Sequence, residues 1–179
     1  ALSVALKEGS KPGADALRAA LAEYSGTVPG SEGVKLSPLT VQDFAYVSTL
    51  GYFTPRALPG ATLVDAKAVG EMQKAGAVFV DTRTEAEYKA GRVPGAMLVP
   101  YVEKSHKDPD FNAADDKFDV SKLPPAKDSV LIFACNGAEC WKSFKASHAA
   151  VKAGYTKVYW FRGGLPEWRA AGLKVDSGA

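Results

Sequence analysis

Cys135 and Cys140 are the chain's two cysteines and stand five residues apart, in Cys135-Asn136-Gly137-Ala138-Glu139-Cys140-Trp141-Lys142. Two thiols are too few for a disulfide scaffold, but so close a pair can act together. Cys135 follows the apolar run of residues 130–134 and precedes a helical pattern over 143–152. A thiol at the carboxyl end of a strand, with a tight loop curling into a helix, meets several backbone N–H groups and the positive end of a helix dipole. Those groups stabilise the thiolate, so the sulfur ionises easily and becomes a nucleophile without a separate base. Gly137 suits the turn such a loop needs. On this reading Cys135 reacts, while Asn136, Gly137, Ala138, Glu139, Trp141 and Lys142 form the binding cradle. A bowl-shaped loop can also bring the two sulfurs within bonding range. Cys140 can then attack a persulfide on Cys135, releasing hydrosulfide and leaving a disulfide, or it can be a small buried residue under Trp141.

A second chemical candidate is Asp81-Thr82-Arg83, directly after the apolar run of residues 77–80. Asp81 can cap the helix that follows. Arg83 can pair with a nearby carboxylate or approach an anionic substrate.

The elements that must position these residues alternate. Strands are expected over residues 61–64, 77–80, 96–99, 130–134 and 157–161, and helices over 66–74, 84–89, 143–152 and 166–171. Glycines 76, 91 and 154 stop the first three helices, and residues 103–128 read mostly as loop. Short apolar strands alternating with helices mean an α/β fold with a mainly parallel sheet, whose functional residues gather at the carboxyl ends of the strands. Residues 1–60 differ, being rich in Ala, Gly, Pro and Ser. One helix is expected there over 14–23, and a second short helix or wrapping arm over 39–53.

These features together resemble the rhodanese-like domain family. Phe79-Val80-Asp81-Thr82-Arg83, Glu87-Tyr88 and Gly91-Arg92-Val93-Pro94-Gly95-Ala96 are similar to its first signature. Val158-Tyr159-Trp160-Phe161-Arg162-Gly163-Gly164 with Trp168 is similar to its last, and Cys135 falls where the family's active cysteine does. The resemblance covers roughly residues 61–175 and implies one doubly wound domain, a mainly parallel central sheet flanked by helices, over 61–179. Residues 1–60 then form a mainly helical or irregular extension packed on that domain or wrapping it. The implied activity is transfer of sulfane sulfur from thiosulfate or a persulfide to a thiol or cyanide, through a persulfide on Cys135 that Cys140 can resolve. Two other readings stay open: a thiol–disulfide redox protein cycling Cys135 and Cys140, and a non-enzymatic sulfur carrier or binding module.

The active loop departs from the family pattern. It is two residues longer, carries Lys142 where Arg is usual, and holds a second cysteine followed by Trp141. The longer cradle approaches that of phosphatases and arsenate reductases, but a lysine cannot grip an oxyanion in two places as arginine does. Glu139 adds negative charge, which also argues against phosphate chemistry. This loop version implies a subgroup of exported bacterial proteins, hence the periplasm, with the cytoplasm as alternative. Ala1 fits a cleaved mature terminus or a trimmed one equally.

Charge and composition exclude other classes. A net charge of +2 with scattered Lys and Arg gives no path for a phosphate backbone, so no nucleic-acid partner is expected. No apolar run approaches the ~20 residues that insert into a bilayer. Cys135, Cys140, His106 and His148 are metal-ligand types at spacings that match no familiar site, and no nucleotide fingerprint appears, so neither metal nor cofactor is expected. The partners expected are a small sulfur-donor anion, which Lys142 and Arg162 can attract, and a thiol acceptor. Trp160, Phe161 and Trp168 read as packing residues, and Arg92 as a surface residue.

Overall fold

The computed structural model describes residues 53–178. The helices expected over 14–23 and 39–53 lie outside these residues, apart from Phe53.

Five strands form one parallel sheet: β1 (Ala61–Leu63), β2 (Val78–Asp81), β3 (Met97–Leu98), β4 (Val130–Ala134) and β5 (Lys157–Phe161), in the order β1-β5-β4-β2-β3. β4 is central, and its side chains alternate between the two faces. Ile132 and Ala134 join Phe79 and Phe161 in one core, which the helices α1 (Ala66–Lys74) and α4 (Gly164–Ala170) cover with Val69, Leu165 and Trp168. Leu131 and Phe133 join Val80 and Val158 in the other core, covered by Ala146 and Ala150 of α3 (Trp141–Lys152). Each such large apolar side chain contributes roughly 1.5–3 kcal/mol on burial. The mainly parallel α/β domain expected from the sequence is therefore the observed one.

Local chemistry sets the helix ends. Asp65 caps α1 by accepting from Ala68 N–H. Thr84 and Glu87 form a capping box at α2 (Glu85–Ala90), so Thr84 rather than Asp81 caps that helix. α3 begins at Trp141, two residues before the expected start, because Cys140 takes the N-cap position with no side-chain cap bond. α4 begins at Gly164 and not at Pro166. A proline fits inside the first turn, where its missing N–H removes nothing the helix needs. β2 is shifted by one residue from the expected 77–80, running through Asp81.

The segment expected to be mostly loop contains two 3-10 turns, Ala113–Asp115 and Val120–Lys122, and is fastened at one point. Asp116 accepts hydrogen bonds from the N–H groups of Lys104 and Ser105 and from the hydroxyls of Ser105 and Tyr101. Lys145 of α3, fully buried, reaches it with an ion pair to Glu103 at 2.8 Å and a longer one to Asp116 at 3.6 Å.

For the site, the sheet register matters most. Asp81 pairs with Ala134, and Ala134 with Phe161, so the carboxyl ends of β2, β4 and β5 are level. The loops leaving these three strands form one surface.

Candidate active site in the loop between β4 and α3

Cys135 directly follows β4 and is 2% exposed, while Cys140 is half-buried at the N-cap of α3. The two are joined in a disulfide with Cα atoms 6.1 Å apart. The loop that allows this is folded from within and without. Cys140 N–H donates to the Gly137 carbonyl at 3.0 Å, closing a turn that needs Gly137 at φ +101°, where a side chain would be strained. Among the described residues, the N–H groups of Asn136, Gly137, Ala138 and Glu139 have no acceptor. Four backbone donors in the loop that follows Cys135 are thus without a protein acceptor among the described residues.

Three contacts hold the loop from outside. Ala138 offers its carbonyl to Thr54, whose N–H and hydroxyl both donate at 2.8 Å. Arg162, at the end of β5, donates to the Thr54 hydroxyl at 3.0 Å and to its carbonyl at 2.7 Å. Burial and the neighbouring charge of Arg56 both lower the Arg162 pKa. Its guanidinium is engaged with Thr54 rather than free to attract a donor anion.

Gly163 and Gly164 form the second contact. Leu165 N–H donates to the carbonyl of Cys135 at 3.0 Å, and Gly164 stands at φ +56°. A Cβ on Gly164 would overlap that carbonyl and the amide of Gly137, so only glycine permits the approach.

Asn136 makes the third contact. Its side-chain amide donates to Glu87 at 2.5 Å, and its carbonyl oxygen lies 3.5 Å from Arg83. Burial works to raise the Glu87 carboxyl, but hydrogen bonds from Thr84 and Asn136 and the charge of Lys142 outweigh it and hold its pKa below the usual carboxylate value.

The expected cradle residues fall in different settings. Asn136 and Glu139 are exposed, while Gly137, Ala138 and Lys142 are half-buried. Trp141 is 1% exposed, clustered with Leu58, Phe144 and Trp160 as a core residue. Arg83 is also buried and forked onto Asp81 at 2.6–3.1 Å, with a further bond to the Gly91 carbonyl at 2.7 Å. Of the two roles open to Arg83, pairing with a neighbouring carboxylate engages Nε and Nη2. Thr54, Glu87 and Gly164 were not singled out for the site. Glu87 and Gly164 belong to the quoted motifs, but nothing local marks Thr54.

No helix among the described residues is long and apolar enough to cross a membrane. Among the same residues, no group of three His, Cys, Asp or Glu side chains is placed to hold a metal ion.

Comparison with known proteins places the chain among sulfurtransferase-containing relatives. The family model for the rhodanese-like domain matches residues 65–171. Thiosulfate sulfurtransferase 16 of the Arabidopsis thaliana chloroplast is 30% identical over 107 residues, 58% of this chain and 82% of its own length. A sulfurtransferase of Allochromatium vinosum is 31% identical over 98 residues, 55% of this chain and 77% of its own. An HTH-type transcriptional regulator of Mycobacterium tuberculosis is 32% identical over 123 residues, and the match spans 69% of this chain but only 46% of the regulator. Among solved structures, a thiosulfate sulfurtransferase from Pseudomonas aeruginosa superposes with a TM-score of 0.49 at 22% identity, over 66% of this chain and 21% of that one. The matched residues 65–171 hold α1, α4, the four strands β2 to β5 and the whole Cys135–Cys140 loop between them, and the chain belongs to the rhodanese-like domain family.

Proposed function

We propose that the protein is a sulfurtransferase in which Cys135 carries sulfane sulfur and Cys140 resolves it. The observation that carries this reading is the Cys135–Cys140 disulfide, which joins the strand-end cysteine to the helix N-cap. The sulfurtransferases among its relatives support the reaction class.

The cycle starts from the reduced pair. The Cys135 thiolate attacks the outer sulfur of thiosulfate, forming a Cys135 persulfide and releasing sulfite. The backbone donors of Asn136 to Glu139 stabilise the negative charge on the outer sulfur. A thiolate acceptor then takes that sulfur and leaves the Cys135 thiolate. Alternatively, the Cys140 thiol attacks Sγ of Cys135, hydrosulfide departs, and the disulfide forms. An external dithiol resets the site. A persulfide or polysulfide donor serves the first step in place of thiosulfate, with the matching thiol or shorter polysulfide released.

The same disulfide favours a second reading, a thiol–disulfide redox protein that carries no sulfur. Mass analysis of reduced wild type, Cys135→Ser and Cys140→Ser after exposure to thiosulfate or polysulfide separates the two. Sulfur added on Cys135, absent from Cys135→Ser and longer-lived in Cys140→Ser, supports transfer with a resolving thiol. No added sulfur in any variant, with ready disulfide formation in wild type, sinks it in favour of the redox reading.

A further inference from the structure

Beside the loop lies a cleft of about 170 Å³ that the cycle above leaves unassigned. Asn136 forms one wall and Leu165 and Pro166 another, with Arg83, Glu87 and Arg169 completing the lining. Two of these lining residues are immediate neighbours of Cys135, since Asn136 follows it in the chain and Leu165 hydrogen-bonds its carbonyl. At ~30 Å³ per water, this space admits about six waters, or a molecule with about that many heavy atoms.

The donors around it are unequally engaged. Arg83 commits Nε and Nη2 to Asp81 and Gly91, whereas Nη1 has only Asn136 Oδ1, at 3.5 Å. Arg169 is exposed, and its guanidinium has no hydrogen-bond or ion-pair partner among the described residues. It lies over Gly91, where an added Cβ would sit 2.6 Å from its Nη2. The two guanidiniums therefore converge on one glycine. Glu87 offers little acceptor capacity in return, since Thr84 occupies one carboxylate oxygen and Asn136 the other. Among the charged residues lining the cleft, Arg83 and Arg169 stand against Glu87, a surplus of one positive charge. Underused donors with a single surplus charge suit a monoanion better than a dianion or a cation.

We propose that this cleft binds the carboxylate of a small thiol acceptor, held by Arg169 and by Nη1 of Arg83. The inference rests on the sulfur-transfer reading. The acceptor thiolate attacks the outer sulfur of the Cys135 persulfide. A new S–S bond forms on the acceptor, the bond from that sulfur to Cys135 Sγ breaks, and its electron pair remains on Cys135 as thiolate.

The test follows sulfur transfer from the persulfidated full chain to mercaptoacetate and to 2-mercaptoethanol, in wild type and in Arg169→Gln. Differences in intrinsic thiol reactivity are common to both proteins, so the informative quantity is the ratio of the two rates. Loss of one charge-assisted donor at an exposed position lowers the mercaptoacetate-to-mercaptoethanol ratio about tenfold. An unchanged ratio overturns the proposal. So does thiosulfate loading that falls as far as transfer to mercaptoacetate, because the cleft would then serve the donor. The same two thiols also reduce the Cys135–Cys140 disulfide, and the ratio of those rates is expected to fall in Arg169→Gln as well. Should no persulfide form, the sulfur-transfer reading fails by itself, and the disulfide-reduction ratio still decides for or against the carboxylate subsite.

Discussion

Thr54 gives both its N–H and its hydroxyl to one oxygen, the carbonyl of Ala138, across 84 residues of chain. Arg162 closes the arrangement by donating to the hydroxyl and carbonyl of that same threonine. One buried side chain thus ties together the segment before β1, the reactive loop and the end of β5. Thr54→Val keeps the volume and the backbone bond but leaves Arg162 Nε without its acceptor. The expected loss is about 1 kcal/mol, the low end of the penalty for an unsatisfied donor, because Arg162 is only half-buried. Urea unfolding of the Val and Ser variants checks this, since Ser retains the hydroxyl. Equal stability of the two would mean the hydroxyl holds nothing.

Gly164 and Gly172 form a matched pair for a second prediction. Both adopt positive φ, +56° and +69°, but a Cβ on Gly172 meets no atom within 4 Å while one on Gly164 overlaps Cys135 and Gly137. Gly172→Ala should lose only the ~1–2 kcal/mol of a left-handed backbone conformation. Gly164→Ala should lose more, and should also slow closure of the Cys135–Cys140 disulfide by displacing the loop. Parallel unfolding and oxidation rates for the two variants provide the measurement. Similar behaviour would show that the close approach is not what fixes the loop.

Lys145 supplies a third. It is fully buried, paired with Glu103 and bonded to Ser105. Removing one partner of a buried ion pair typically costs about 3–5 kcal/mol, so Lys145→Met should be strongly destabilised in thermal or urea unfolding. The associated pH dependence comes from Asp116. Burial opposes its charge, but hydrogen bonds from Ser105, Lys104 and Tyr101 outweigh that and hold the carboxyl far below the usual range. A carboxyl depressed in the folded state contributes stability that is complete above the unfolded value, about 3.9, and is lost as pH falls below it. Unfolding midpoints measured down the acid limb should therefore fall more steeply in wild type than in Asp116→Asn.

The strands were legible because short continuous apolar runs, the mark of strands buried on both faces, end where turn residues begin, as at Val130–Ala134 and Lys157–Phe161. The Cys135 loop was legible because a reactive residue type stands at a strand's carboxyl end. What supports the loop was not. Thr54 meets Ala138 only through tertiary folding, and no local pattern foretells a partner so distant in the chain. Lys145 lies on a helix where a lysine ordinarily reads as a solvated face, and its burial depends on carboxylates from an aperiodic segment. Trp141 was expected in the cradle by its place in the loop and Arg83 as a carboxylate partner or anion contact after β2, and sheet register and packing bury both. Helix starts at Trp141 and Gly164 were obscured by a cysteine N-cap and by Pro166.

Cys140 occupies the N-cap of α3 without a side-chain hydrogen bond, and this sets the order of stability among three forms of the protein. The disulfide closes a very short loop, so by the chain-entropy relation it contributes only about 2 kcal/mol. Reduction removes that contribution and leaves a thiol, a weak capping group, at a 12-residue helix. Cys140→Ser also lacks the disulfide but offers a hydroxyl, which at an N-cap is worth about 1 kcal/mol. The oxidised wild type should therefore be the most stable, the reduced wild type the least, and Cys140→Ser should fall between them by about 1 kcal/mol each way. Urea unfolding of the oxidised protein without reductant, and of the other two with it, gives the three values. If Cys140→Ser proves no more stable than the reduced wild type, the hydroxyl does not reach the first-turn amides. Position 140 would then be shaped for sulfur–sulfur contact with Cys135 rather than for beginning the helix.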